Sequence, residues 1–280
     1  MAIRCIVLDF DGTFTDVEKE AVPFLGAYRK DFETHVGAEV AGRWDEVYDH
    51  IEANPNGFGW EYEGRIVAPS HADPYIMATS TAQRLLDDAG LLTNDADRRS
   101  VLDAIYRENY GKAESIFRPE AKAVVEGLLA TGLPLFVVTN SHTAAVNRKI
   151  DLLAPEGRDR ITVYGDAKKY VVIEPETVDD AFRALEETRR VPGLDRPIYL
   201  RRGHYYELLR RLREETGVPA EETLVAGDIF ELDLALPSAL GYQAHLVARP
   251  KTPSYERGAV AALPGGAVSE DLHAVLTRFR

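Results

Sequence analysis

Residues 3–16 read IRCIVLDFDGTFTD. Residues 3–8 are a short apolar run rich in β-branched side chains, stopping abruptly at Asp9 with glycine just beyond, which predicts a buried strand rather than a helix. Two further runs of this kind lie outward from it, residues 133–138 ending at Thr139 and residues 224–226 ending at Gly227-Asp228. Residues 161–164, 198–200 and 244–247 are weaker strand candidates. Amphipathic spacing separates these runs. Ala121, Val124, Val125, Leu128 and Leu129 repeat at helical intervals behind Pro119, which a first turn tolerates. Val146, Ile150 and Leu153 share a face after the second strand, and Tyr205, Leu208, Leu209 and Leu212 share one before the third. Leu272, Val275, Leu276 and Phe279 predict a last helix. Strands that alternate with helices and lack hairpin turns imply an α/β fold, a doubly wound parallel sheet.

Residues 17–115 break this rhythm. They carry helical patterns, among them Ala78, Ala82, Leu85, Leu86 and Val101, Leu102, Ile105, but no convincing buried parallel strand. The expected organisation is therefore a core of residues 1–16 and 116–280 interrupted by a mainly α-helical module. Within the module, NPNGFGWEYEGRIVAP (residues 54–69) reads as a short hairpin or a long loop.

Composition sets outer limits. The 280 residues carry 46 acidic and 33 basic side chains, a net charge of −13, and 45% of them are hydrophobic, so a sizeable core is available and wholesale disorder is excluded. One cysteine, Cys5, permits neither a disulfide framework nor a cysteine-rich metal site. No apolar run approaches the length of a membrane span, and acids interrupt the N-terminus too early for a signal peptide, so a soluble, cytoplasmic chain is expected, as monomer or homodimer. The acidic balance argues against nucleic acid as a partner. An anionic small molecule stays compatible, because arginine outnumbers lysine and suits phosphate or carboxylate.

Chemistry concentrates at strand ends, where open α/β sheets gather ligands. Asp9 and Asp11 stand two residues apart, the spacing that points side chains to one side of a strand. Like charges that close suggest a bound cation or a shared proton. An EF-hand loop also begins Asp-x-Asp and would place Glu20 twelfth, but Phe14 occupies its obligatory glycine position. In GDIFELD (residues 227–233), Asp228 follows a strand directly and Asp233 comes five residues later, so both are candidate ligands for a hard cation such as magnesium. In VVTNS (residues 137–141), Thr139 and Asn140 offer a hydroxyl and an amide beside free helix amides, with Ser141 read as an ordinary helix cap and His142 as an exposed first-turn residue.

These three motifs, in this order at successive strand ends, resemble the haloacid dehalogenase-like hydrolase superfamily. The resemblance implies a Rossmann-like core in which Asp9 is the nucleophile that forms an aspartyl-phosphate, and Asp11 is the general acid/base. It also implies that Thr139 holds phosphoryl oxygens with Asn140 nearby. Asp228 would bind Mg2+ with the Asp9 carboxylate and the Asp11 backbone carbonyl, and Asp233 would support that site. Superfamily members that act as true dehalogenases lack an acid at the place of Asp11, which favours a phosphatase acting on a small phosphorylated metabolite. A phosphomutase or a non-catalytic ligand-binding relative is the alternative. The module at residues 17–115 resembles a cap, with Trp60, Arg65, His71 and Tyr75 as candidates to read the leaving group. One element departs from the pattern. The family's charge-balancing lysine has no lysine-proline match here, and its place is contested by Arg201 or Arg202 in YLRRGHYYELL and by Lys168 or Lys169 in YGDAKKY, with Arg201 and Lys169 ahead of their neighbours.

Overall fold

The computed structural model describes residues 2–279, which form two compact units divided at Asp16/Val17 and at Ile116/Phe117. The first unit is built on six strands: β1 (Cys5–Leu8), β2 (Leu135–Val138), β3 (Ile161–Tyr164), β4 (Thr223–Gly227), β5 (Gln243–Val247) and β6 (Ala267–Ser269). They lie in the order β6-β5-β4-β1-β2-β3, and every neighbouring pair is parallel. The chain thus moves from β1 outward to β3 on one side, then returns to start again at β4 on the other. Such a reversal leaves a crevice at the carboxyl ends of the two central strands. Asp9 follows β1 and Asp228 follows β4, so the topology itself brings the first and last motifs together.

Alternation within the strands divides the core. Cys5 and Val7 face one cluster with Phe136, Val138 and Val225, while Ile6 and Leu8 face another with Leu135, Val137, Leu224 and Ala226. Helices cover both faces, which is why the strands read as continuous apolar runs. Ala121–Ala130 and Thr143–Leu153 supply Val124, Leu128, Val146 and Ile150 to the second cluster, and Gly203–Thr216 supplies Tyr205, Leu209 and Leu212 to the first. Leu224 is fully buried at the sheet centre. Leu224→Ala should cost about 2–5 kcal/mol in urea unfolding. A cost below about 1 kcal/mol would contradict this placement.

Three details differ from the sequence expectation. The candidate strand at residues 198–200 does not join the parallel sheet, because Ile198–Tyr199 pairs antiparallel with Thr188–Arg189 in a separate ribbon, within a long excursion between β3 and Gly203–Thr216. The last segment, Leu272–Phe279, is a 3-10 helix, and its buried Leu272 and Val275 are three residues apart, a spacing that a three-residue turn serves as well as an α-helix. Strand β6 carried no apolar signal, since its residues are only half-buried at the sheet edge.

The second unit is mainly helical. Val22–Val36, Trp44–Ala53, Pro74–Ala89 and Asp95–Tyr110 pack around an aromatic core of Phe24, Tyr28, Phe32, Trp44 and Tyr75. Asp73 caps the third of these helices by accepting from the Ile76 amide at 2.6 Å, and Asn94 caps the fourth. Residues 54–69 contain a hairpin, Gly59–Tyr62 with Arg65–Pro69, turned by Glu63 and Gly64 at φ 50° and 70°. Tyr75 is a core residue and His71 bonds the Glu52 carbonyl at 3.0 Å, so local packing accounts for both. Among the described residues, no helix is long and apolar enough to cross a membrane.

Candidate active site

The site is built around Lys169. Its ammonium, buried to 1% exposure, lies 2.8 Å from Asp9 Oδ1 and 2.8 Å from Asp233 Oδ1. Asp9, Asp228 and Asp233 each offer a carboxylate oxygen within 4.8 Å of the others. Thr13 Oγ1 spans the cluster, 3.3 Å from Asp9 Oδ2 and 3.4 Å from Asp228 Oδ1. Burial pushes the Asp9 carboxyl well above its ordinary range, Lys169 pulls against that, and the neighbouring Asp233 and Asp228 charges add to the upward push. Burial alone would lower Lys169, but the Asp233 and Asp9 carboxylates outweigh it and hold the ammonium above its usual range. Three hard oxygen donors this close, with their charge only partly balanced, fit a hard divalent cation.

Backbone geometry fixes each acid. Gly12 adopts φ +84°, and a Cβ there would stand 2.3 Å from Asp228 Oδ2, so the turn after Asp11 must be glycine for Asp228 to reach the cluster. Gly12→Ala should displace Asp228 and weaken any divalent-cation binding at the cluster by at least about tenfold while leaving the far-ultraviolet circular dichroism unchanged; unaltered affinity in calorimetry would contradict the packing. Asp233 sits in a single π-helical turn, Phe230–Leu234, and its Oδ2 accepts from the Ile229 amide at 3.0 Å. Such bulges re-aim side chains at functional sites. Glu231, the other acid of this motif, points elsewhere. It is fully buried and clamped by Arg196 at 2.7 and 2.8 Å and by the Tyr255 hydroxyl at 2.6 Å, which braces the loop from behind.

Asp11 stands apart from the three-carboxylate cluster. Its Oδ2 accepts from Ser141 Oγ at 2.7 Å and its Oδ1 pairs with Lys149 Nζ at 2.6 Å. Strand β1 ends at Leu8, so Asp11 already belongs to the turn, where strand alternation no longer applies, and its partners differ from those of Asp9. The Asp11 side chain is therefore not among the clustered carboxylates, while Asp9, Asp228 and Asp233 are. Ser141 is likewise not the helix cap expected of it. His142 takes that position, exposed and 2.6 Å from Asp166, and Ser141 turns to Asp11.

Of the candidate cations, Lys169 is the one whose ammonium meets Asp9 and Asp233. Arg201 lies over Phe182 and donates twice to the Leu185 carbonyl at 3.1 Å, with no contact to the acids. Arg202, fully buried, donates to the Lys169 carbonyl at 2.6 Å and the Tyr199 carbonyl at 2.9 Å. The residues that precede Lys169 are fastened to the second motif: Ala167 N donates to Thr139 O, Asp166 N to Ser141 O, and Lys169 N to Asn140 Oδ1 at 2.8 Å. Asp166 and Lys168 hold positive φ of 53° and 47°. Backbone in that region costs energy for non-glycine residues and is retained where the surroundings over-determine it. Thr139 is buried at the end of β2, its Oγ1 accepting from Ser141 N at 3.1 Å. Sequence reasoning did not single out Lys149 or Arg249. Arg249 Nε lies 2.7 Å from Asp228 Oδ2, two residues beyond β5, a strand end whose position was the available signal.

Comparison with known proteins agrees with this architecture. A family model for haloacid dehalogenase-like hydrolases matches residues 3–241. Among solved structures, the chain is similar to a predicted phosphoglycolate phosphatase of Haemophilus somnus 129pt, at 13% identity and TM-score 0.53, covering 99% of this chain and 98% of that one. It is also similar to a Bacteroides fragilis protein assigned as a haloacid dehalogenase-like hydrolase, at 13% identity and TM-score 0.53, covering 98% and 99%. No curated protein matches it. With its family-wide match and its acids at the switch point of the sheet, the chain belongs to the haloacid dehalogenase-like hydrolases.

Proposed function

We propose that this hydrolase is a magnesium-dependent phosphatase that removes phosphate from a small metabolite. The observation that carries the reading is the convergence of Asp9, Asp228 and Asp233 with Lys169 at the sheet switch point, beside an Asp11 held separately by Ser141 and Lys149. Asp9, Asp228, Asp233 and the Asp11 carbonyl would hold the magnesium, which supplies the positive charge that lets an anionic nucleophile meet an anionic phosphate.

The chain's own residues account for the rest. A carboxylate oxygen of Asp9, oriented by Lys169 and Thr13, attacks phosphorus, and the bond to the leaving oxygen breaks. Asp11 gives that oxygen a proton, then takes one from the water that cleaves the aspartyl-phosphate. Burial works against an ionised Asp9, so the bound cation would have to join Lys169 in holding that carboxylate charged, while Asp11 lies outside the three-carboxylate cluster and keeps its own partners. Thr139 stands at the adjacent strand end, where its hydroxyl suits a phosphoryl oxygen. Asp9 is only 8% exposed, which favours a small substrate over a phosphorylated protein surface.

Release of inorganic phosphate from a panel of phosphorylated metabolites, with magnesium and then with excess chelator, tests the proposal. Chelation should lower release on the order of a hundredfold or more. Release that ignores the chelator, or no release from any member, would overturn it.

A further inference from the structure

Asp228 has a cation of its own. Arg249 and Asp228 are 5% and 1% exposed, so their pairing at 2.7 Å is screened little by solvent. Strand β5, which leads to Arg249, lies directly beside β4, which leads to Asp228, with Gly227 in register with Leu246. The turn that presents Arg249 is braced: its amide donates to Thr252 Oγ1 at 2.8 Å, and its carbonyl accepts from Arg257 at 2.9 Å. The backbone that carries Arg249 is thus fixed, and its side chain is buried against Asp228. Lys169 neutralises the Asp9 and Asp233 side of the cluster, and Arg249 the Asp228 side.

We infer that Arg249 divides the site's affinity between the metal cation and the phosphate anion, weakening the first and strengthening the second. The inference rests on the magnesium-and-phosphate reading given above. Counting only the groups in direct ion-pair contact, three carboxylates against Lys169 and Arg249 leave one net negative charge, with Arg118 further out on the Asp228 side. A divalent cation turns this into one net positive charge, which suits an incoming dianion. Without Arg249 the empty cluster is more negative and attracts the cation more strongly, while the loaded cluster is neutral and attracts phosphate less. Arg249 also competes for Asp228 Oδ2, an oxygen that a cation would otherwise share.

Calorimetry distinguishes this role from a purely structural one, because the two affinities move in opposite directions. Metal-stripped wild type, Arg249→Gln and Arg249→Lys would be titrated with magnesium alone, then with inorganic phosphate at saturating magnesium. Arg249→Gln should bind magnesium on the order of tenfold more tightly and phosphate on the order of tenfold more weakly, whereas Arg249→Lys, which keeps the charge, should stay near wild type. Thermal melting would accompany each titration, and Arg249→Met replaces the glutamine variant if that one unfolds. Unchanged affinities in the neutral variant, or a loss of both, would overturn the role of Arg249. Wild type that binds no magnesium would instead overturn the underlying reading of the site.

Discussion

Asp9→Asn is expected to reduce phosphate release on the order of 10⁴-fold or more, with the folded state intact. The substitution keeps the side-chain shape but removes the proposed carboxylate nucleophile, and loss of a covalent nucleophile costs this much in enzymes that depend on one. Stability should move little or rise. Burial penalises the Asp9 charge, two other carboxylates crowd it, and Lys169 retains its contact with Asp233 when Asp9 is neutralised. Steady-state release together with thermal melting checks the prediction. Residual activity above about a hundredth of wild type would show that Asp9 is not the attacking group.

Lys169→Ala should be the other severe change, and it should act on both stability and turnover. Removing the ammonium leaves Asp9 and Asp233 buried without their shared counter-ion, and breaking a buried pair from one side costs about 3–5 kcal/mol. Magnesium should recover part of that loss, because a cation that binds the folded state stabilises it. Turnover should not recover, since Lys169 also orients Asp9. Arg201→Ala provides the contrast. Among the described residues its guanidinium meets the Leu185 carbonyl and the Phe182 face rather than the clustered acids, so near-wild-type turnover is expected. Melting curves with and without magnesium, beside initial rates for both variants, decide the matter. Equal near-wild-type rates in both would remove Lys169 from the chemistry.

Much of the fold was legible because buried parallel strands are unusually explicit. The runs that became β1, β2 and β4 are apolar on both faces, end at Asp9, Thr139 and Gly227-Asp228, and alternate with helical spacing. Edge elements were not. Strand β6 is half-buried, and Ile198–Tyr199 is too short for periodicity to distinguish a sheet member from a local ribbon. Within the site, the motifs announced Asp9, Asp228 and Asp233 because each follows or closely trails a strand end. The direction of Asp11 was hidden, since a turn rather than a strand carries it, and its partners come from residues 130 and 138 positions away. Lys169 was one of several cations in sequence, and only the long excursion between β3 and Gly203–Thr216 selects it. Arg202, one of the two arginines near where the family pattern expects the lysine, instead holds the Lys169 backbone. A cation's role in such a cluster depends on three-dimensional charge, which no linear spacing records.

The most direct test of the account is to find the phosphoryl group in transit. Enzyme mixed with magnesium and an aryl phosphate, quenched in acid during turnover and digested, should yield a phosphorylated peptide whose modified residue is Asp9. The Asp9→Asn variant should yield none. Phosphate release accompanied by no modified peptide, or by modification at a residue other than Asp9, would contradict the account.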